Sequence, residues 1–149
     1  MDASQIPDFE LVLAVLDYWD QPRAGIALMR GVPHRFFCPF DEQSDDYADW
    51  YHLHAIDIAM LRLECEACEI YFGHGPSPEM TQVLPNPIPR FPEAEERFNE
   101  LQLALKEDRH LVESSNQLAM AEFKRRIASD SWRGGQLWSV RWTPLGTLS

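Results

Sequence analysis

The chain has 149 residues, 45% hydrophobic and 25% charged, a composition that predicts a globular domain and excludes wholesale disorder. A chain this long buries roughly 68% of the surface that its unfolded form exposes, enough for a self-sufficient core. Its 24 acids stand against 11 Arg and two Lys, and a net charge of −11 disfavours phosphate backbones and anionic membranes as partners.

Residues 9–17 alternate Phe9, Leu11, Leu13 and Val15 with Glu10, Val12, Ala14 and Leu16. Both sets are largely apolar, the pattern of a strand covered on two sides. Asp20-Gln21-Pro22-Arg23 carries turn chemistry, residues 24–30 a second strand, Gly31-Val32-Pro33 another turn, and residues 34–40 a third strand. Connections this short leave only antiparallel neighbours, so residues 9–40 predict a β-meander. Residues 41–49 form a polar connection with five acids and no base. The aromatic run Trp50-Tyr51-His52-Leu53-His54 then predicts a strand at 48–54.

From Asp57 the apolar period changes. Ile58, Leu61, Cys65, Cys68 and Phe72 fall on one stripe of a helix over 57–72, with Asp57 as its N-cap and Gly73 as its stop. Arg62, Glu66 and Glu69 take the opposite side. Residues 73–92 hold six of the eleven prolines, which no helix or central strand survives. A stretch of this kind is a strap across the surface or a lid, and the apolar anchors Met80, Val83, Leu84, Ile88 and Phe91 favour the strap. Pro92 suits the first turn of a second helix, with Glu93, Glu95 and Glu96 near its positive end, a stripe of Ala94, Phe98, Leu101 and Leu105, and an end near Glu107. Residues 118–126 read as helix by propensity or as strand by their flanks, and the Ser114-Ser115-Asn116 punctuation and the loop at 129–135 favour a strand. Trp138, Val140 and Trp142 alternate with Ser139, Arg141 and Thr143 in a last strand that Pro144 ends.

The expected architecture is a single α+β domain over residues 1–149. An antiparallel curved sheet, made of the N-terminal β-meander plus the C-terminal strands, is covered by two α-helices and the Pro-rich strap.

Chemistry is sparse. Cys65-x-x-Cys68 with His52 and His54 makes an imaginable zinc quartet, but both thiols share an apolar helix stripe, where Cys acts as a small hydrophobe. His52 and His54 point to one strand face, and with His34 inside the curved sheet they offer a minor metal-site reading that lacks a well-placed carboxylate. Asp41, Gln43 and Asp45 start like a calcium loop, yet its sixth position is Asp46 instead of Gly and its twelfth His52 instead of Glu. Pro89-x-x-Pro92 and Gly73-His74-Gly75 meet no specific functional pattern. Three cysteines, Cys38 included, cannot form a full disulfide framework, and residues 11–16 are too short an apolar run for a signal peptide or membrane span. A cytoplasmic protein without a cofactor is expected, its oligomeric state open.

The strongest surface candidate is the acidic connection. Asp41, Glu42, Asp45, Asp46 and Asp49 would steer a basic protein, with Tyr47 and Trp50 as aromatic anchors. The lack of a catalytic signature favours such a binding module over an enzyme. In size and charge the chain is similar to immunity proteins and antitoxins, a general likeness that rests on no motif. The alternatives are a structural or oligomeric subunit, with the Trp138/Val140/Trp142 strand or the strap at an interface, and a small metal-dependent enzyme using His52 and His54. Lys124-Arg125-Arg126 reads as protection of a strand edge.

Overall fold

The computed structural model describes residues 8–72, 76–80, 84, 94–126 and 137–147. Strand β1 (Glu10–Trp19) reverses at Asp20 into β2 (Gln21–Met29), which turns at Arg30-Gly31 into β3 (Val32–Phe37). All three pair antiparallel, the meander that the short connections predict. The turn residues differ from those expected. Asp20 carries a φ of 67°, and Arg30 and Gly31 have 54° and 78°, left-handed values that suit a tight hairpin between twisted strands. The Glu10 carboxylate accepts from the N–H groups of Arg30 and Gly31 at 3.0 and 2.9 Å, satisfying that turn. Pro22 and Pro33 lie within the strands, opposite Tyr18 and Leu28.

The third strand stops at Phe37, and Phe40–Asp41 (β4) pairs with Asp46–Tyr47 (β5) as a separate two-stranded hairpin. Strand β6 (Tyr51–Ala55) leads to helix α1 (Ile58–Phe72). Asp57 caps that helix, its Oδ1 accepting from the Met60 N–H at 2.8 Å. Helix α2 (Ala94–Leu111) runs one turn past Glu107 into a 3-10 turn at Val112–Ser114, followed by β7 (Gln117–Arg126) and β8 (Leu137–Thr147).

The sheet closes on itself. Its order is β1-β2-β3-β6-β7-β8, and β8 returns to β1 through Glu10↔Val140 and Leu11↔Ser139. The curved sheet expected from the sequence is therefore a six-stranded antiparallel barrel. Register shifts along β1 at Val12/Ala14, Val15/Asp17 and Asp17/Tyr18 supply the bending that closure requires. Nor does Pro144 end the last strand. It pairs with Ala119 beside a register shift at Leu118/Ala119, where an irregular ladder tolerates a missing N–H.

Among the described residues three apolar clusters hold the layers. Phe36, Leu53, Tyr51, Trp138, Val140 and Trp142 fill the barrel, with Phe123 packed against them. The rings meet at 5.6–6.4 Å between centroids, within the tilted and edge-on range that aromatic pairs favour. Outside, Leu13 and Ile26 of the wall pack on Leu61 and Cys65 of α1, joined by Met80 and Leu84. Ala67 of α1 meets Leu101 and Leu105 of α2. Of the expected anchors, Met80 and Leu84 are buried. The other expected anchors Val83, Ile88 and Phe91, Pro85 to Pro92, Gly73 and the 129–135 loop lie outside the described residues. Among the described residues no helix is long and apolar enough to cross a membrane.

Candidate functional site

Antiparallel topology gathers the end of β1, the start of β2, the end of β3 and the start of β6 on one rim of the barrel. The β4–β5 hairpin stands on that rim. Its tip is built locally: Asp41 Oδ1 accepts from the Gln43 N–H at 2.9 Å, Asp46 Oδ1 from the Tyr47 N–H at 2.8 Å, and Asp45 adopts a φ of 57°. Its base is fastened by Ala48 N–H donating to the Pro39 carbonyl at 2.9 Å and Cys38 N–H to the Arg23 carbonyl at 2.7 Å.

Arg23 ties the hairpin to the barrel. Its guanidinium lies 4.3 Å from the Tyr47 ring centre, while its Nε donates to the Trp19 carbonyl at 3.0 Å. Phe40 meets the Tyr47 ring edge-on at 5.1 Å. Below, the Tyr51 hydroxyl donates to the Pro22 carbonyl at 2.7 Å and accepts from Gln21 Nε2 at 2.9 Å; burial raises its pKa.

Asp41, Glu42, Asp45, Asp46 and Asp49 are all exposed, Tyr47 is half-buried, and Trp50 is 42% exposed. None of the five acids forms an ion pair among the described residues. Asp41 and Asp46 stand directly opposite each other in the ladder, where like charges repel. Two further aromatics share the rim, Trp19 at 68% exposure and Phe40 at 48%. Sequence reasoning missed both. The strand reading over 9–17 leaves Trp19 outside it, and the strand reading over 34–40 makes Phe40 its last residue, although Asp20 and Asp41 beside them already mark turns.

The histidines sit elsewhere. Tyr51 and Leu53 take the inward positions of β6, so His52 and His54 lie outside the barrel instead of inside the curved sheet. His52 Nδ1 is 2.8 Å from the Ser115 carbonyl, His54 Nε2 is 3.7 Å from Asp108 Oδ1, and His34 Nδ1 is 2.8 Å from the Val32 carbonyl. No group of three His, Cys, Asp or Glu side chains converges as metal ligands among the described residues. Cys65 and Cys68 are free thiols, and burial pushes them up to about 12 and about 11. The basic triad pairs with β8: Arg126 binds Glu79, and the Arg125 guanidinium lies 5.5 Å from the Trp138 ring centre.

A second polar centre, not legible in the sequence, lies between the barrel wall and the helices. Arg35 of β3 donates from Nε to Asp108 of α2 and from Nη1 to Glu64 of α1, both at 2.7 Å. Arg109 grips the same Glu64 with Nε and Nη2 at 2.8 and 2.7 Å. Burial alone would raise the Glu64 pKa. Hydrogen bonding from Arg109 and the charge of Arg35 outweigh it and hold the carboxyl below its usual range.

Comparison with known protein families, curated proteins and solved structures finds no match to this chain.

Proposed function

We propose that this protein is a binding module that captures a basic protein through the 40–50 hairpin and the rim beneath it. The observation that carries this reading is the pair Asp41 and Asp46, held face to face with no base beside them among the described residues. That repulsion is relieved when a Lys or Arg of a partner lies between the carboxylates. Asp45, Glu42 and Asp49 extend the negative field and speed encounter, which makes association salt-sensitive. Trp19, Phe40 and Trp50 supply the large, stiff rings that anchor contact cores. An immunity- or antitoxin-like sequestration is the form such binding takes here.

Affinity capture at low ionic strength tests the reading. The wild type is compared with a triple variant Asp41→Asn, Asp45→Asn, Asp46→Asn and with a control of equal charge change, Glu95→Gln, Glu96→Gln, Glu107→Gln. A basic protein held by wild type and control but lost by the hairpin variant is expected. An empty capture at low salt, where attraction is greatest, removes the proposal.

A further inference from the structure

Two adjoining cavities lie between the barrel wall and the helices. One, of about 240 Å³, has walls from Val15 of β1, Ala67 and Phe72 of α1 and Phe98 of α2. The other, of about 300 Å³, is bounded by Asp17, Ala24, Arg35, Phe37 and Val112. Leu16 and Arg109 line both, so an apolar arm and a polar arm meet at these two side chains.

The polar arm is chemically incomplete. Arg35 is only 1% exposed, and its Nη2 is buried with no hydrogen-bond acceptor among the described residues. Its Nε and Nη1 are committed to Asp108 and Glu64. Arg109, by contrast, engages all three of its nitrogens with Glu64 and Gln102. A buried guanidinium N–H without an acceptor is costly, and it marks where an acceptor belongs.

We infer that this space binds a small uncharged molecule with a ring-sized apolar body and a carbonyl oxygen. The body lies beside Phe72 and Phe98, and the oxygen accepts from Arg35. Charge decides against an anion. Arg35 and Arg109 bring two positive charges, while Glu64, Asp108 and Asp17 bring three negative ones. A ligand carboxylate would add another negative charge beside these three, whereas a neutral oxygen supplies the missing bond to the buried Arg35 without that cost. The enclosure, apolar with a few polar groups, has the character of a small-molecule site.

Prodan, an uncharged naphthalene bearing a ketone, is the probe, because its emission moves to the blue in an apolar site. Titrated into the protein, it is expected to saturate at one molecule per chain. Leu16→Glu, at an exposed side chain common to both arms, should weaken it by at least about tenfold without changing the melting temperature. As competitors, naphthalene and 2-naphthoate should each displace it at least about tenfold less well than 2-acetylnaphthalene, the first because it lacks the hydrogen-bond acceptor and the second because it adds a negative charge. Trp50→Ala should leave binding unchanged. Binding that fails to saturate, survives Leu16→Glu or disappears with Trp50→Ala overturns the site. Equal displacement by the three competitors overturns the carbonyl assignment.

Discussion

Gly25 shows how tightly the barrel wall is drawn. A Cβ built at this position would lie 2.1 Å from the Ala14 carbonyl oxygen and 2.9 Å from the tip of the Phe36 ring. The constraint is space. Gly25 pairs with Val15 on one side and Phe36 on the other, in the region where β1 shifts register. Backbone oxygen cannot swing away as a side chain can, so the ladder itself must move to admit a methyl group. Overpacking of this kind typically costs about 1–3 kcal/mol, and Gly25→Ala is expected at or above the upper end. Equilibrium urea unfolding checks it; a midpoint equal to wild type would mean that the β1–β2 crossing is looser than its geometry. Gly31, where a Cβ would meet nothing within 4 Å, is the contrast: its constraint is the positive φ alone.

At the scale of elements, the β4–β5 hairpin sets stability against recognition. Asp46→Lys would place a cation opposite Asp41 and turn a repulsive cross-strand pair into an attractive one. Such pairs differ by roughly 0.2–1 kcal/mol, so the variant should unfold at slightly higher urea while losing capture of a basic partner. A variant that gains neither stability nor loses capture would show that the two carboxylates do not sense each other. The hairpin also marks what the sequence made legible. Its acids and aromatics were visible as composition, the meander, both helices and the last strand followed from apolar period and short connections, and the strand at 118–126 only from the punctuation that flanks it. Closure of the sheet was not visible, because it depends on a two-pair seam between residues 128 positions apart or more, Glu10 with Val140 and Leu11 with Ser139. The Arg35–Glu64–Arg109 centre escaped for a related reason. Glu64 lies between Leu63 and Cys65 on a helix whose other acids, Glu66 and Glu69, read as a solvated face. In the fold Glu66 is buried against Arg97, with bonds of 2.6 and 3.0 Å. Only tertiary structure brings each carboxylate its guanidinium.

For the molecule as a whole, that centre is the polar joint between its layers, since β3, α1 and α2 each contribute a charged group to it. Glu64→Gln would keep the shape but leave Arg35 buried beside a neutral amide. Breaking a buried pair in this way costs about 3–5 kcal/mol, and the variant should be that much less stable near neutral pH. The pH dependence separates this charge from the protein's many surface acids. With the folded-state pKa of Glu64 held below its ordinary value of 4.5, its contribution is fully present above that value. It is lost as pH falls through the lowered folded value, when the carboxyl takes up a proton and the salt bridges to Arg35 and Arg109 weaken. Wild type and Glu64→Gln should therefore run parallel in urea midpoint from neutral pH down to about 4.5 and converge below it. Repulsion within a chain of net charge −11 relaxes over the same acid range, but it does so in both proteins and cancels in the difference. A gap that stayed constant to the acid limit would assign the loss to packing instead of charge. The layers would then be held by their apolar clusters alone.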